Sequence, residues 1–171
     1  SLLTHFLNYV IIYVILKFIE VVVMKISVKG RYGLAVMVCL AQHYNSGENI
    51  TVLRFSKELG FSKIYLEQVF SLIKRAGLVV AVKGAQGGYQ LARHPKDISV
   101  FDVLSAIEYS VFEKTEETVT STRPDIEKVM QQEVFAPLDR TVEKFLKSIT
   151  LMDLANDAES YKSESGFMYF I

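Results

Sequence analysis

Between residues 51 and 91 the chain is punctuated so closely that few folds accept it. Thr51 is a good N-cap for an apolar-periodic stretch from Val52 to Leu59, and Gly60 stops it. Ser62 caps the next stretch, Lys63 to Ala76, and Gly77 ends that one. Two helices joined by the short link Leu59-Gly60-Phe61-Ser62 form a helix-turn-helix pattern. Leu78-Val79-Val80-Ala81-Val82, then Lys83-Gly84-Ala85-Gln86-Gly87-Gly88, then Tyr89-Gln90-Leu91 reads as strand, glycine-rich turn and strand. A hairpin behind a helix-turn-helix is a winged helix. Ahead of it, Ser27 to Tyr44 carries Tyr32, Leu34, Ala35, Val38 and Ala41 at spacing that predicts a buried helix. The predicted class is mainly α with a small β-hairpin wing, and residues 24–98 form its first domain.

Charge agrees with this division. Residues 24–96 hold eleven Lys/Arg against three Asp/Glu, a balance of +8; residues 97–171 hold seven against fifteen, a balance of −8. A basic half joined to an acidic half is a common sign of nucleic-acid binding with a separate assembly or control region. Half of the residues are hydrophobic, which excludes wholesale disorder. The single cysteine, Cys39, excludes a disulfide framework, a zinc finger and a protein-ligated iron–sulfur cluster within one chain. His5, His43 and His94 are far apart and suggest no metal site. No nucleophile–base pair or paired carboxylates stand out, so an enzyme is not expected. Cys39 lies within the first predicted helix, where a buried structural thiol is the better reading than a redox group.

In a winged helix the helix from Lys63 enters the major groove and the wing reaches the adjacent backbone or minor groove. Phosphate contacts are expected from Lys25, Ser27, Lys29, Arg31, Lys63 and Lys83. Any one of these cations alone is an ordinary solvated charge; the clustering carries the argument. Tyr32 and Ser62 belong to the same expected surface. Tyr65, Glu67 and Gln68, near the start of the reading helix, are candidates for base edges: Gln suits adenine, Glu the cytosine amino group. Glu67 has the alternative role of a first-turn helix-dipole partner. Gly84, Gly87 and Gly88 allow close backbone approach at the wing, or simply make a hairpin turn; no Gly-Lys-Ser/Thr follows them as a phosphate loop needs. Leu66, Val69, Phe70 and Ile73 are expected in the core.

The acidic half opens with a short amphipathic helix from Ser99 to Ser110, Ser99 being its N-cap. The threonine-rich stretch from Val111 to Arg123 reads as a loop. Pro124-Asp125 then opens a helix from Ile126 to about Ala155, with Pro137 expected to kink it. Val134, Leu138, Val142, Phe145, Leu146 and Ile149 recur at helical spacing along it. A second copy of the same helix is the simplest partner for so long a stripe, giving an isologous homodimer. Packing against the chain's own winged helix is the other. Residues 99–155 thus form the linker helix, loop and dimerisation helix. Residues 156–165 are polar and read as flexible; after Gly166, five apolar residues close the chain, Phe167-Met168-Tyr169-Phe170-Ile171. Termini are usually polar and frayed, so Met168, Tyr169, Phe170 and Ile171 suggest a docking peptide, or a last strand folded on the chain's own core.

Residues 1–23 are mostly apolar and about long enough to span a bilayer. Lys17 and Glu20 lie within them, and no Lys/Arg cluster marks their start. The first methionine is Met24, and Glu20-Val21 can be encoded as GAGGT, a ribosome-binding sequence, just upstream. Translated upstream DNA is therefore the expected reading, ahead of a membrane segment or a docked extra helix.

Met-Lys-Ile-Ser-Val-Lys-Gly-Arg-Tyr-Gly-Leu at 24–34 resembles the start of the BadM/Rrf-type winged-helix regulators. So do Tyr65-Leu66-Glu67-Gln68, Gly77-Leu78-Val79, the wing from Lys83 to Tyr89, and Ile149-Thr150-Leu151-Met152-Asp153-Leu154. The resemblance implies a dimeric bacterial transcription factor, usually a repressor, on near-palindromic double-stranded DNA in the cytoplasm, with no membrane partner. One branch of the family holds an iron–sulfur cluster on three cysteines ahead of the dimerisation helix. The matching stretch here, about Ser110 to Gln132, has none, and Gln132 falls where that branch can place a histidine. No cofactor is expected. The aromatic tail ending in isoleucine is similar to that of the family's cysteine-metabolism repressors, and to the C-terminus of serine acetyltransferases. That likeness implies cysteine synthase (O-acetylserine thiol-lyase) as a partner, its active site accepting the terminal carboxylate. A same-fold regulator answering a small ligand or a redox signal is the alternative.

Overall fold

The computed structural model describes residues 26–109, 112–113 and 117–167. Residues 1–23, Lys25 and the four tail residues Met168, Tyr169, Phe170 and Ile171 lie outside them. Helix α1 (Val28–Gln42) is capped by the Ser27 hydroxyl, which accepts from the Gly30 N–H. Helices α2 (Val52–Leu59) and α3 (Lys63–Arg75) form the helix-turn-helix. Their caps are the expected ones: Thr51 accepts from the Arg54 N–H, Ser62 from the Tyr65 N–H, and Gly60 closes α2 at φ 70°. Strands β1 (Val79–Val82) and β2 (Gly88–Leu91) pair antiparallel, Val79 opposite Leu91 and Val82 opposite Gly88. Ile50 bridges Tyr89 on the far side of β2, so a short third segment ties the wing to the chain before α2.

Helix α4 (Val100–Ile107) has a reciprocal cap: Asp102 N–H donates to the Ser99 hydroxyl, and Ser99 N–H donates back to the Asp102 carboxylate. Helices α1, α3 and α4 pack on one another around Val36, Met37, Leu66, Val69 and Val103, all fully buried. Phe55 of α2 and Phe70 of α3 close this core with ring centroids 5.3 Å apart.

The acidic half differs from the single helix expected there. Helix α5 (Pro124–Met130) does open at Pro124. It then widens into a π-helical turn, Gln131–Phe135, before continuing as α6 (Ala136–Lys147). Pro137 supplies the cause: it has no N–H for the carbonyl four residues back, and its ring crowds that turn. The irregularity expected at Pro137 takes the form of this π-helical turn, a usual site of helix bending. The helix ends at Lys147, well short of Ala155. Ile149, expected on its stripe, lies in the break after it, where its carbonyl accepts from the Val100 N–H at 2.9 Å. Leu151 N–H donates to the Ile98 carbonyl at 2.9 Å, and Ser99 and Thr150 form an antiparallel bridge. A new helix, α7 (Leu151–Phe167), starts there, with the Thr150 hydroxyl accepting from Asp153 N–H. The polar stretch 156–165, expected to be flexible, is therefore helical. Helix α7 lies along α1, with Leu151 and Ala155 buried in the core and Gln42 donating to Glu159 at 2.7 Å.

In the stretch read as a loop, Glu127 of α5 turns inward and accepts the N–H groups of Thr118 and Val119, each at 3.0 Å. Its residue is 3% exposed. The Val119 N–H, with that of Thr118, holds its carboxyl below the usual carboxylate range. Among the described residues no helix is long and apolar enough to cross a membrane.

Candidate nucleic-acid interface

Helix α3 has two unlike faces. Leu66, Val69, Phe70 and Ile73 face the core and are fully buried. Glu67, Gln68 and Ser71 face outward, with Lys63 and Ile64 ahead of them in the first turn. Lys63 and Glu67 are 3.7 Å apart, an exposed pair one helical turn apart and weak in water. Glu67 and Gln68 therefore remain available to an external partner. Lys29 of α1 borders the same shallow groove as Ile64, Glu67, Gln68 and Ser71. The structure thus brings Lys29, Lys63, Glu67 and Gln68 together.

Other predicted residues sit differently. Tyr32 is half-buried, stacked on Phe61 at 3.6 Å between centroids and edge-on to Tyr65 at 5.4 Å. Tyr65 is half-buried in the same cluster, with the Lys29 ammonium 5.9 Å from its ring centre. These two rings lie between α1 and α3, with Lys29 next to them. Ser62 is committed to its cap. Arg31 lines a separate groove with Leu34, Val38, Glu58 and Leu154, which shares no residue with the groove on the outer face of α3.

Ser27 has a partner no local reading of the chain would find. Its N–H donates to Glu108 Oε1 at 2.9 Å, and its hydroxyl donates to the same oxygen. Glu108 ends α4, just before the stretch that leads to α5. A carboxylate at the start of α1 is favourably placed against the helix dipole.

At the wing, Lys83 is exposed beside Gly84, which has φ 110° with open space around it. Gly87 and Gly88 have other reasons to be glycine. A Cβ on Gly87 would lie 2.5 Å from the Val82 carbonyl oxygen, and one on Gly88 2.8 Å from the backbone of Ile50. The Gly87 N–H closes the turn onto the Gly84 carbonyl at 3.0 Å. Asn49 then fastens the tip, donating from Nδ2 to the Gln86 carbonyl at 2.8 Å. Gln90 donates to the Gly47 carbonyl at 2.6 Å at the base. The wing is thus a braced hairpin that presents Lys83.

Of the expected dimerisation residues, Val134, Leu138 and Phe145 are 53%, 47% and 63% exposed. Val142 and Leu146 of α6 are half-buried, and α6 packs on α4. Ile126 and Val129 extend the exposed face into α5.

Cys39 is buried in α1, its Sγ 3.7 Å from Glu58 Oε2. Burial first, then the Glu58 charge, push the thiol up to about 11. Glu58 itself is held low, above all by its hydrogen bond from Arg54. At pH 8 only about 0.1% of this thiol is thiolate, the form that reacts. Iodoacetamide should label the folded protein far more slowly than the urea-unfolded chain. The labelling rate should rise about tenfold per pH unit from 8 to 10; equal rates folded and unfolded would refute the burial.

Three comparisons bear on this geometry. Residues 26–157 match the family model Rrf2, described as an iron-dependent transcriptional regulator. The chain is 34% identical over 149 residues to the HTH-type transcriptional regulator CymR of Bacillus subtilis, covering 86% of this chain and all of that protein. The solved structure of that protein, described as the global cysteine regulator of B. subtilis, aligns at a TM-score of 0.64 over 77% of this chain and 96% of the other. The T. potens IscR structure aligns with the same score at 38% identity, over 85% and 96%. The iron dependence in the family description implies a metal centre. The residues here do not fit a thiolate-held one: the sole thiol is buried within α1 and held protonated by its surroundings.

Proposed function

The chain belongs to the Rrf2 family of transcriptional regulators, and from that premise we propose that it represses cysteine-metabolism genes as a homodimer on near-palindromic DNA. The outer face of α3 carries this reading. It sets Glu67, Gln68 and Ser71 beside Lys29 and Lys63, on a helix whose opposite face is locked into the core. Lys83 on the braced wing adds a second point of contact. The exposed row Val134, Leu138 and Phe145 supports a second copy as the partner of α5 and α6. With one buried thiol, regulation proceeds without an iron–sulfur cluster.

The metabolic input rests on two supports. The similarity to CymR runs over the whole of that protein. The sequence also carries the apolar run Met168, Tyr169, Phe170 and Ile171, after a helix exposed at residues 161–163. A site built for an amino-acid carboxylate, such as that of cysteine synthase, accepts a peptide carboxylate while apolar side chains fill its approach. With cysteine plentiful the enzyme holds the repressor, and accumulating O-acetylserine competes it off. Linkage then requires the enzyme to bind the DNA-competent state more tightly than the free one.

The test mixes purified cysteine synthase with a peptide of residues 162–171, and with the same peptide lacking Ile171. The enzyme's pyridoxal phosphate fluorescence reports binding. The expected result is binding that needs Ile171 and is reversed by O-acetylserine. No binding at high micromolar peptide refutes the partner and favours the second reading, a small-ligand input. The mainly apolar groove lined by Leu34, Ala35, Val38 and Leu154, with Arg31 at its edge, is the observation behind that reading.

A further inference from the structure

Ile64 is 73% exposed, among the most exposed large apolar side chains of the described residues. Single exposed apolar residues are commonplace and usually need no explanation. What separates Ile64 is its register. It is the second residue of α3, in the first turn of the reading helix. Gln68 and Ser71 follow it at four and seven residues, on the same outer stripe. It shares the groove with Lys29, Glu67 and Gln68, and Lys63 precedes it. The core-facing stripe of α3 is already complete without it. A β-branched side chain also gains nothing for helix formation at an exposed site.

Resting on the DNA-binding reading above, we propose that Ile64 is a specificity-determining residue that reads the 5-methyl group of a thymine in the major groove. The major-groove edge of thymine carries one apolar feature, that methyl, beside a carbonyl acceptor. The cytosine, adenine and guanine edges offer only donors and acceptors. The N-terminal residues of a reading helix are the ones that reach base edges. Gln68, one turn on, addresses a neighbouring base through its amide, suited to adenine. The two together favour A·T-containing steps. Lys29 in the same groove and Lys63 next to Ile64 in sequence set two cations against the one carboxylate of Glu67, a polar setting that suits a polyanion better than an apolar protein partner.

The test uses the full chain and needs no known operator. Duplexes are selected from a random library, and each thymine of the winning sequence is then replaced by uracil, which deletes only the methyl. Uracil at one position in a half-site should weaken binding about fourfold, the worth of one buried methyl-sized group. Replacement in both half-sites should weaken it about fifteenfold. Ile64→Ala should bind more weakly and lose the discrimination between thymine and uracil at that position, while Ile64→Val should keep it. Thermal melting of both variants should match the parent, because the side chain is outside the core. Tolerance of uracil everywhere by the parent, or an undiminished uracil penalty in Ile64→Ala, overturns the proposal. A parent chain that enriches no duplex overturns the DNA-binding reading beneath it, and this proposal with it.

Discussion

Raising the salt from 50 to 200 mM should weaken the complex with its best DNA site by about a thousandfold or more. The expectation follows from where the charge lies. The half with the winged helix carries +8 and the other half −8, so the overall neutrality does not describe the surface that meets DNA. Lys63 and Lys83 are exposed, and Lys29 stands at the edge of the α3 groove. In the proposed homodimer two copies would place about 6–10 such cations against phosphates, each releasing a condensed counterion. Fluorescence anisotropy on a labelled duplex, titrated across salt, gives the slope of log affinity against log salt. A slope near −6 or steeper is expected, and Lys83→Ala should lower its magnitude by about 2, one contact per copy. A near-flat slope rules out phosphate-anchored binding.

The parts of this surface that sequence made legible are those where local chemistry decides. Thr51, Ser62 and Ser99 each accept from an N–H three residues on, so their role is written within a four-residue window. The wing likewise follows from its glycines. The roles of Gly87 and Gly88 were less legible, because the atoms they make room for include the backbone of Ile50, far back in the chain. The same distance hid Glu108 as the partner of Ser27, 81 residues away. Periodicity also overran the break at 148–150. The stripe of apolar residues continues through it, but the Ile149 carbonyl and the Leu151 N–H pair with Val100 and Ile98 instead of extending the helix. Tertiary hydrogen bonds of that kind leave no local signal. Tyr65 shows the opposite limit: its position in the first turn suits a base contact, whereas its ring packs against Tyr32.

Leu138→Glu should convert the protein to monomers and weaken operator binding by about a hundredfold to ten-thousandfold. Leu138 is 47% exposed in the single chain, so the substitution asks little of the chain's own core. Between two copies the same carboxylate would be carried into an apolar seam with Val134 and Phe145, where an unpaired charge is strongly disfavoured. The two faces are identical in an isologous pair, so each substitution appears twice across the seam. Without the pair, each winged helix meets its half-site alone and loses the effective concentration that the linked second copy supplies. Sedimentation equilibrium should show one chain of 19.4 kDa in place of two. Circular dichroism should show helix content retained. Val142→Glu is the informative contrast, since Val142 is half-buried on α6, which packs on α4. It should lower thermal stability as well as association. If Leu138→Glu still sediments as two chains with full affinity, the exposed row on α5 and α6 is not the seam. The half-site geometry would then have to come from another face.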